Sequence, residues 1–241
     1  MERYERQMML PQIGKEGQKR LQNARVTVIG SGGLGSPVLT YLAEAGVGYI
    51  RCIDEDVVSL TNLNRQFLHR EQDIGRKKSD SAKETLEALN SKIQIEPLCC
   101  KVTEENVKEL LGDSMAVVDC VDTIKTRLSV NRACLEQNIP LVEGGISGFY
   151  GFVTVIGQES ACLECMGYHE GMDGKRIPVL GTTAGVIGAL QANECLKIIL
   201  GAGEPLYGRI LQYDGLNGSF DEIEVQKSEA CKAHGNIKAY K

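Results

Sequence analysis

A glycine-rich turn and an acid one helix and one strand further on are the residues of this chain with the clearest chemical meaning. Gly30, Gly32, Gly33 and Gly35 fall in Gly-Ser-Gly-Gly-Leu-Gly at 30–35, and the acid is Asp54. Glycines let a backbone approach phosphate oxygens, a helix start offers unpaired N–H donors, and an acid closing the next strand accepts ribose hydroxyls. A nucleotide site is therefore expected. Taken alone the motif favours a dinucleotide, which leaves a nicotinamide-dependent oxidoreductase as one reading.

Cationic and amide groups follow that acid. Thr61, Asn62, Asn64, Arg65 and Gln66 lie in Thr-Asn-Leu-Asn-Arg-Gln at 61–66, and Lys78 ends Gly-Arg-Lys-Lys at 75–78. A dinucleotide needs little cationic help beyond the helix start. A triphosphate reacting at its α-phosphorus needs fixed positive groups around it. The competing reading of Arg76, Lys77 and Lys78 is a solvated charge run at a helix start. Asp119 and Asp122 sit in Val-Asp-Cys-Val-Asp at 118–122, at the end of an apolar run. Ligands of such sheets bind beyond the carboxyl ends of the strands, and Mg²⁺ takes one or two carboxylates with phosphate oxygens and waters. Asp122 is the preferred partner, and Asp119 can be a structural acid.

A second constellation is Cys162-x-x-Cys165 with a distant Cys231-x-x-His234. Two such hooks can close a tetrahedral zinc site of the Cys₃His kind. The alternative is two buried thiols and an unrelated terminal pair. Cys52, Cys120, Cys134 and Cys195 lie in apolar periodic segments and read as core residues, whereas Cys99 and Cys100 follow a strand end and read as partly exposed.

The elements that must position these groups are legible in the spacing of apolar residues. A β-branched strand at 26–29 runs into the glycine turn. A helix with Pro37 in its first turn ends before Gly46, and a second strand spans 48–54. Together they make a βαβ unit. A helix at 79–90, a strand around 93–98, a strand at 115–121, a helix at 127–137 and a strand at 140–142 continue the alternation. After Glu143, Gly144 and Gly145 the character changes. A strand at 152–156, a polar glycine-rich stretch at 167–175, a long helix at 184–200 and a hairpin of strands at 210–213 and 220–225 follow. The expected fold is α/β: a Rossmann-like doubly wound parallel sheet in the N-terminal half, extended by antiparallel strands in the C-terminal half. One domain, 1–241, is expected, with a nucleotide-binding half at 1–145 and a second half at 146–241.

Composition sets limits on this reading. With 241 residues, 42% apolar and 24% charged, the chain can bury one substantial core, and the scarcity of aromatics and absence of Trp make that core aliphatic. The net charge of −5 lacks the footprint of a nucleic-acid binder. No secretory-type apolar run follows the charged start, and no apolar stretch has membrane-spanning length. Nine cysteines without such a leader suggest reduced thiols, so a cytoplasmic protein is expected.

The order of these motifs resembles the MoeB/ThiF/HesA family, the bacterial and archaeal relatives of ubiquitin-activating enzymes. The resemblance spans nearly the whole chain. It runs from Arg3, Tyr4, Glu5, Arg6 and Gln7 through the glycine turn and the 54–66 segment to Lys78, Asp119 and Asp122. It continues into the helix that carries Gly185, Gly188 and Gln191. It implies ATP rather than NAD, and adenylation of the C-terminal glycine carboxylate of a ubiquitin-like sulfur-carrier protein of the thiamin or molybdopterin type. Gly32 and Gly33 would then face the phosphates, and Asp54 would hold the ribose. Thr61, Asn62, Asn64, Arg65 and Lys78 would surround the triphosphate, with Asp122 and Thr123 supporting Mg²⁺ and the reacting phosphate. Arg6 would reach into the site of the other subunit of a homodimer. The resemblance thus implies a catalytic set of Arg6, Arg65, Lys78 and Asp122, a structural Zn²⁺ on Cys162, Cys165, Cys231 and His234, and a possible sulfurtransferase as a further partner.

Two departures from the family pattern carry expectations of their own. Many relatives have a cysteine in the crossover loop, but 167–176 has none. Adenylation without an obligatory enzyme thioester is expected. His234 stands where the family usually has the fourth zinc cysteine. Relatives that adenylate a tRNA nucleoside or a short peptide, and a non-catalytic scaffold for a ubiquitin-like partner, are the remaining readings.

Overall fold

The computed structural model describes residues 2–172, 174 and 177–235. Positions 173, 175 and 176 of the expected polar loop, and 236–241 of the second half, lie outside the described residues.

Eight strands form one sheet in the order β3-β2-β1-β4-β5-β6-β7-β8. The parallel part consists of β1 (Arg25–Ile29), β2 (Tyr49–Ile53), β3 (Gln94–Leu98), β4 (Ala116–Asp119) and β5 (Leu141–Ser147). Strands β6 (Tyr150–Ile156), β7 (Arg209–Asp214) and β8 (Ser219–Glu224) continue from β5, each antiparallel to its neighbour. The mixed sheet read from the sequence is therefore the observed one.

Helices cover both faces. Along the chain they are α1 (Glu5–Met8), α2 (Gly14–Asn23), α3 (Gly35–Ala45), α4 (Lys78–Leu89), α5 (Val107–Leu111), α6 (Ile124–Gln137), α7 (Gly181–Leu200) and α8 (Lys232–Gly235). Alternation along the strands divides the core in two, as the period of a pleated strand requires. Val26, Val28, Val118 and Val142 pack with Leu39, Leu42, Leu86, Cys195 and Ile199 on the face covered by α3, α4 and α7. Ile29, Val117 and Leu141 pack with Leu111, Leu128, Leu135 and Leu163 on the other. The largest fully buried side chains are all Leu or Ile, so the core is aliphatic as expected.

Three expectations need adjustment. The apolar run at 115–121 pairs only to Asp119, because Val121 turns its N–H onto the Asp119 carboxylate at 2.9 Å. Helix α6 starts at Ile124, before the first periodic residue seen in the sequence. Gly144 and Gly145 do not end β5 but lie inside it. A Cβ on Gly144 would come within 2.6 Å of the Gln191 side chain, and one on Gly145 within 2.4 Å of the Phe152 ring. These glycines admit close neighbours, a role that composition alone does not distinguish from a break.

Among the described residues no helix is long and apolar enough to cross a membrane.

Candidate nucleotide and metal sites

Strand β1 ends at Ile29, and the chain turns immediately into α3. Gly30 holds φ +94°, and a Cβ there would lie 2.8 Å from the Cys120 carbonyl. A Cβ on Gly35 would lie 2.0 Å from the Gly30 carbonyl, a backbone atom with no freedom to move aside. The turn therefore folds only with glycine at its hinge positions. Gly35→Ala is expected to weaken ATP binding by about tenfold and to destabilise by about 1–3 kcal/mol through overpacking. Titration calorimetry and thermal unfolding measure the two effects, and an unchanged binding isotherm would contradict the first.

Asp54, just past β2, is tied to this turn. Its Oδ2 accepts from the Ser31 backbone N–H at 2.8 Å and the Ser31 hydroxyl at 2.9 Å, and its Oδ1 accepts from the Asp56 N–H at 2.9 Å. An ionised carboxylate has about four acceptor positions. Three are used among the described residues, which leaves one that could accept from a ligand hydroxyl.

The 61–66 segment folds over the same turn. Its tight 3-10 turn (Leu60–Asn62) is capped reciprocally by Ser59 and Asn62, whose Oδ1 accepts from the Ser59 N–H at 3.1 Å. Arg65 lays its aliphatic carbons over Gly33, where a Cβ would sit 3.4 Å from Arg65 Cδ. Its guanidinium donates to the Thr61 carbonyl at 3.0 Å and to Asn64 Oδ1 at 2.9 Å, both neutral acceptors. Lys78 opens α4. Its ammonium donates to Asp56 Oδ2 at 2.7 Å, with only 7% of the lysine side chain exposed against 65% of the aspartate. The charge-run alternative holds for Arg76 and Lys77, which are exposed, and fails for Lys78. Ser31, Asp54, Asp56 and Lys78 thus form one continuous polar chain.

Asp122 is exposed on the turn between β4 and α6, and the Thr123 hydroxyl donates to Thr126 Oγ1 at 2.8 Å. Strand β4 lies beside β1, with Asp119 in register with Ile29, so this turn borders the glycine turn. Arg6 is placed differently. It lies exposed on α1, and its neighbour Gln7 donates to the Ala45 carbonyl at 2.9 Å, at the C-terminal end of α3. Helix α3 has 11 residues and is roughly 16 Å long, which separates Arg6 from the glycine turn of its own chain. A cleft of about 630 Å³ between Pro140, Gly157 and Tyr207 contains none of these residues.

Three residues of this site are given no role by sequence reasoning, although Ser31 and Gln66 fall inside the motifs quoted above. Ser31 anchors Asp54. Gln66 is buried with its amide beside Gly32. His69 is buried, with Nε2 at 3.1 Å from the Ser31 carbonyl and Nδ1 at 2.9 Å from the Ser81 hydroxyl. A carbonyl only accepts, so Nε2 carries the proton and Nδ1 accepts from Ser81. Burial, with help from the Lys78 charge, holds this imidazole below its ordinary pKa despite the Ser31 carbonyl, so it stays neutral. Its position three residues past Gln66 is a weak signal, because a lone histidine in an apolar stretch is usually a packed one.

The second constellation does assemble. The ligand atoms of Cys162, Cys165, Cys231 and His234 all lie within 4.8 Å of one another. Sγ of Cys162 is 3.8 Å from that of Cys165 and 3.6 Å from that of Cys231. Four ligands at about 2.3 Å in a tetrahedron would place sulfurs about 3.8 Å apart. Both ring nitrogens of His234 are buried without a hydrogen-bond partner, and burial and the Lys227 charge keep that imidazole below its ordinary pKa. Burial pushes the Cys162 thiol up to about 12. Cys165 is half-buried, and backbone N–H groups at Cys162 and Ser228 pull it below its usual value against the effect of that burial. Among the other thiols, Cys52, Cys134 and Cys195 are buried, Cys120 is half-buried against the core, Cys99 is exposed and Cys100 half-buried, as expected.

Many known proteins are similar to this chain. The sulfur carrier protein adenylyltransferase of Thermus thermophilus is 40% identical over 248 aligned positions, covering 98% of this chain and 91% of that protein. The SAMP-activating enzyme E1 of Haloferax volcanii is 37% identical over 241 positions, covering 98% and 89%. Among solved structures, that of E. coli MccB with ATP superposes with a TM-score of 0.82 at 26% identity, over 90% of this chain and 68% of that one. Residues 4–233 match the ThiF family, from the N-terminal turn into the last helix, and the chain belongs to that family.

Proposed function

We propose that this chain is an ATP-dependent adenylyltransferase. It activates the C-terminal glycine carboxylate of a ubiquitin-like sulfur carrier of the thiamin or molybdopterin type and releases pyrophosphate. The observation that carries the reading is a near-buried Lys78, joined to the glycine turn through Asp56, Asp54 and Ser31, together with an Arg65 that lies over Gly33 and, among the described residues, is held by neutral acceptors. A nicotinamide dinucleotide gives neither cation a task. The activities named for the Thermus and Haloferax relatives support the same reading.

The chemistry follows from charge. A main-chain carboxylate has a pKa of about 3.5, so at neutral pH it is already an anionic nucleophile and no general base is required. Its oxygen forms a bond to the α-phosphorus while the bond to the bridging oxygen of the β-phosphate breaks, and pyrophosphate leaves with that electron pair. The obstacle is bringing one anion onto another. Arg65 and Lys78 stabilise the charge that develops, with Gly32 and Gly33 admitting the phosphates, Asp54 orienting the ribose, and Thr61, Asn62 and Asn64 lining the approach. Asp122, with Thr123 beside it, is a hard oxygen donor at the strand end and would hold Mg²⁺, which supplies neutralisation of the triphosphate. The spacing of the three thiols and the orphaned His234 nitrogens fit Zn²⁺ in a structural role. A sulfurtransferase acting on the adenylate is a natural next partner, and reduced thiols fit a cytoplasmic setting.

The separation of Arg6 from its own glycine turn supports a homodimer in which Arg6 completes the partner's site. The function is tested by ATP–pyrophosphate exchange with thiamin-type and molybdopterin-type carriers, each with and without its terminal glycine. Exchange is expected only with an intact Gly-Gly end. Exchange with neither carrier, or with the truncated forms, would reject the reading. Arg6→Ala alone is expected to lose activity about tenfold. When mixed with Lys78→Met protein, about a quarter of wild-type exchange should return, because half the dimers are mixed and each carries one intact site. An Arg6→Ala protein as active as the wild type would remove Arg6 from the site.

A further inference from the structure

Three ionisable groups lie buried beneath the Asp122 turn. Asp119 ends β4, Glu143 sits beside it in β5 in parallel register, and Arg127 reaches down from α6. Asp119 and Glu143 are fully buried and Arg127 is 7% exposed. Arg127 Nη1 donates to Glu143 Oε1 and, at 2.8 Å, to the Gly144 carbonyl. Its Nη2 donates to the Val121 carbonyl at 2.6 Å. Asp119 Oδ1 accepts from the Val121 N–H at 2.9 Å, and Gln191 fixes the Asp119 carbonyl from the opposite face at 2.7 Å.

The N–H and the C=O of Val121, the residue before Asp122, therefore both end on this cluster. Two carboxylates and one guanidinium are an expensive way to fill a core, since apolar residues of the same shape usually serve stability as well or better. Burial drives the Glu143 carboxyl well above the ordinary carboxylate range, against the pull of Arg127, and Asp119 is raised in the same direction. Asp119 Oδ2 and Glu143 Oε2 have no hydrogen-bond partner among the described residues, and a proton held by Glu143 would let it donate to Asp119 while still accepting from Arg127.

We propose that Arg127 and Glu143 are positioning residues for adenylation: with Asp119 they clamp both backbone polar groups of Val121 and so fix where the Asp122 carboxylate stands. The proposal rests on the role given to Asp122 above. It differs from a purely structural role because the clamp acts on one loop position rather than on stability.

The test is a double-mutant cycle in ATP–pyrophosphate exchange with a molybdopterin-type or thiamin-type carrier, whichever supports exchange. Asp122→Asn is expected to lower kcat about 10²-fold. Arg127→Lys, which keeps the charge but cannot reach three acceptors, should lower kcat about 10–30-fold while KM for ATP moves less than about threefold. In the Asp122→Asn background the same Arg127→Lys change should cost less than about threefold, because residues that act as a unit are not additive. Glu143→Gln, which still donates to Asp119 and accepts from Arg127, should retain most of the kcat that Glu143→Ala loses. These two read the same loop if Arg127→Lys is poorly soluble. Multiplying effects at 122 and 127, or equal kcat for Glu143→Gln and Glu143→Ala, would overturn the proposal while leaving Asp122 in its role. An unaffected Asp122→Asn enzyme would remove that role and the proposal together.

Discussion

Replacing Lys78 by methionine is expected to slow ATP–pyrophosphate exchange by about 10²–10³-fold, equivalent to about 2.7–4 kcal/mol of transition-state stabilisation. Methionine keeps the buried unbranched stem and removes the ammonium, with its charge and its donors. The lysine is held from two directions: its backbone N–H donates to the Asp56 carbonyl at 2.9 Å, and its ammonium donates to the Asp56 carboxylate. That leaves it little freedom to reorganise when the reaction occurs. Its partner Asp56 is largely exposed, so losing the pair should cost stability no more than about 1 kcal/mol. The rate effect and the folding effect are thus separable in one protein. Asp122→Asn should fall in the same range of rate loss. Exchange within about threefold of wild type in both variants, at unchanged melting temperature, would remove these residues from the chemistry.

Withdrawing the metal should act on stability instead. Cys162 and Cys165 precede the crossover to α7, and Cys231 and His234 follow β8, so one ion would join the two ends of the antiparallel half. A cross-link over so long a loop contributes about 2–5 kcal/mol. For a chain of this size that corresponds to roughly 5–15 °C in Tm. Purified protein is expected to contain one equivalent of zinc by metal analysis, and chelation or Cys162→Ser should lower Tm by that amount. His234→Ala should do the same to a smaller degree, since three thiolates remain. Protein that carries no zinc and melts identically with and without chelator would show four unliganded side chains that merely meet.

Much of this was legible in the residues, for identifiable reasons. A β-branched run, a glycine turn and a downstream acid have few physical solutions, so β1, α3, β2 and Asp54 are found where the spacing puts them. The two hooks point to one place because a tetrahedral metal site would demand a fixed ligand spacing, and the four side chains do meet. The misreadings came where tertiary contacts decide. Gly144 looks like a break until Gln191 is seen occupying the space above it. At Lys78 the residues leave both a site cation and a solvated run open, and its near-buried pair with Asp56 excludes the second. Ser31 and His69 carry no local pattern at all, because their partners are 23 and 12 residues away along the chain.

Among the described residues Arg65 rests on a carbonyl and an amide oxygen, not on a carboxylate. On the proposed reading a guanidinium so perched would have no opposing ion to abandon when a triphosphate arrives, and a perch to return to when pyrophosphate departs. Lys78, by contrast, is buried against Asp56. On the proposed reading the site would combine an adjustable cation with a fixed one, and the adjustable one could accompany the leaving group outward before the adenylate is handed on.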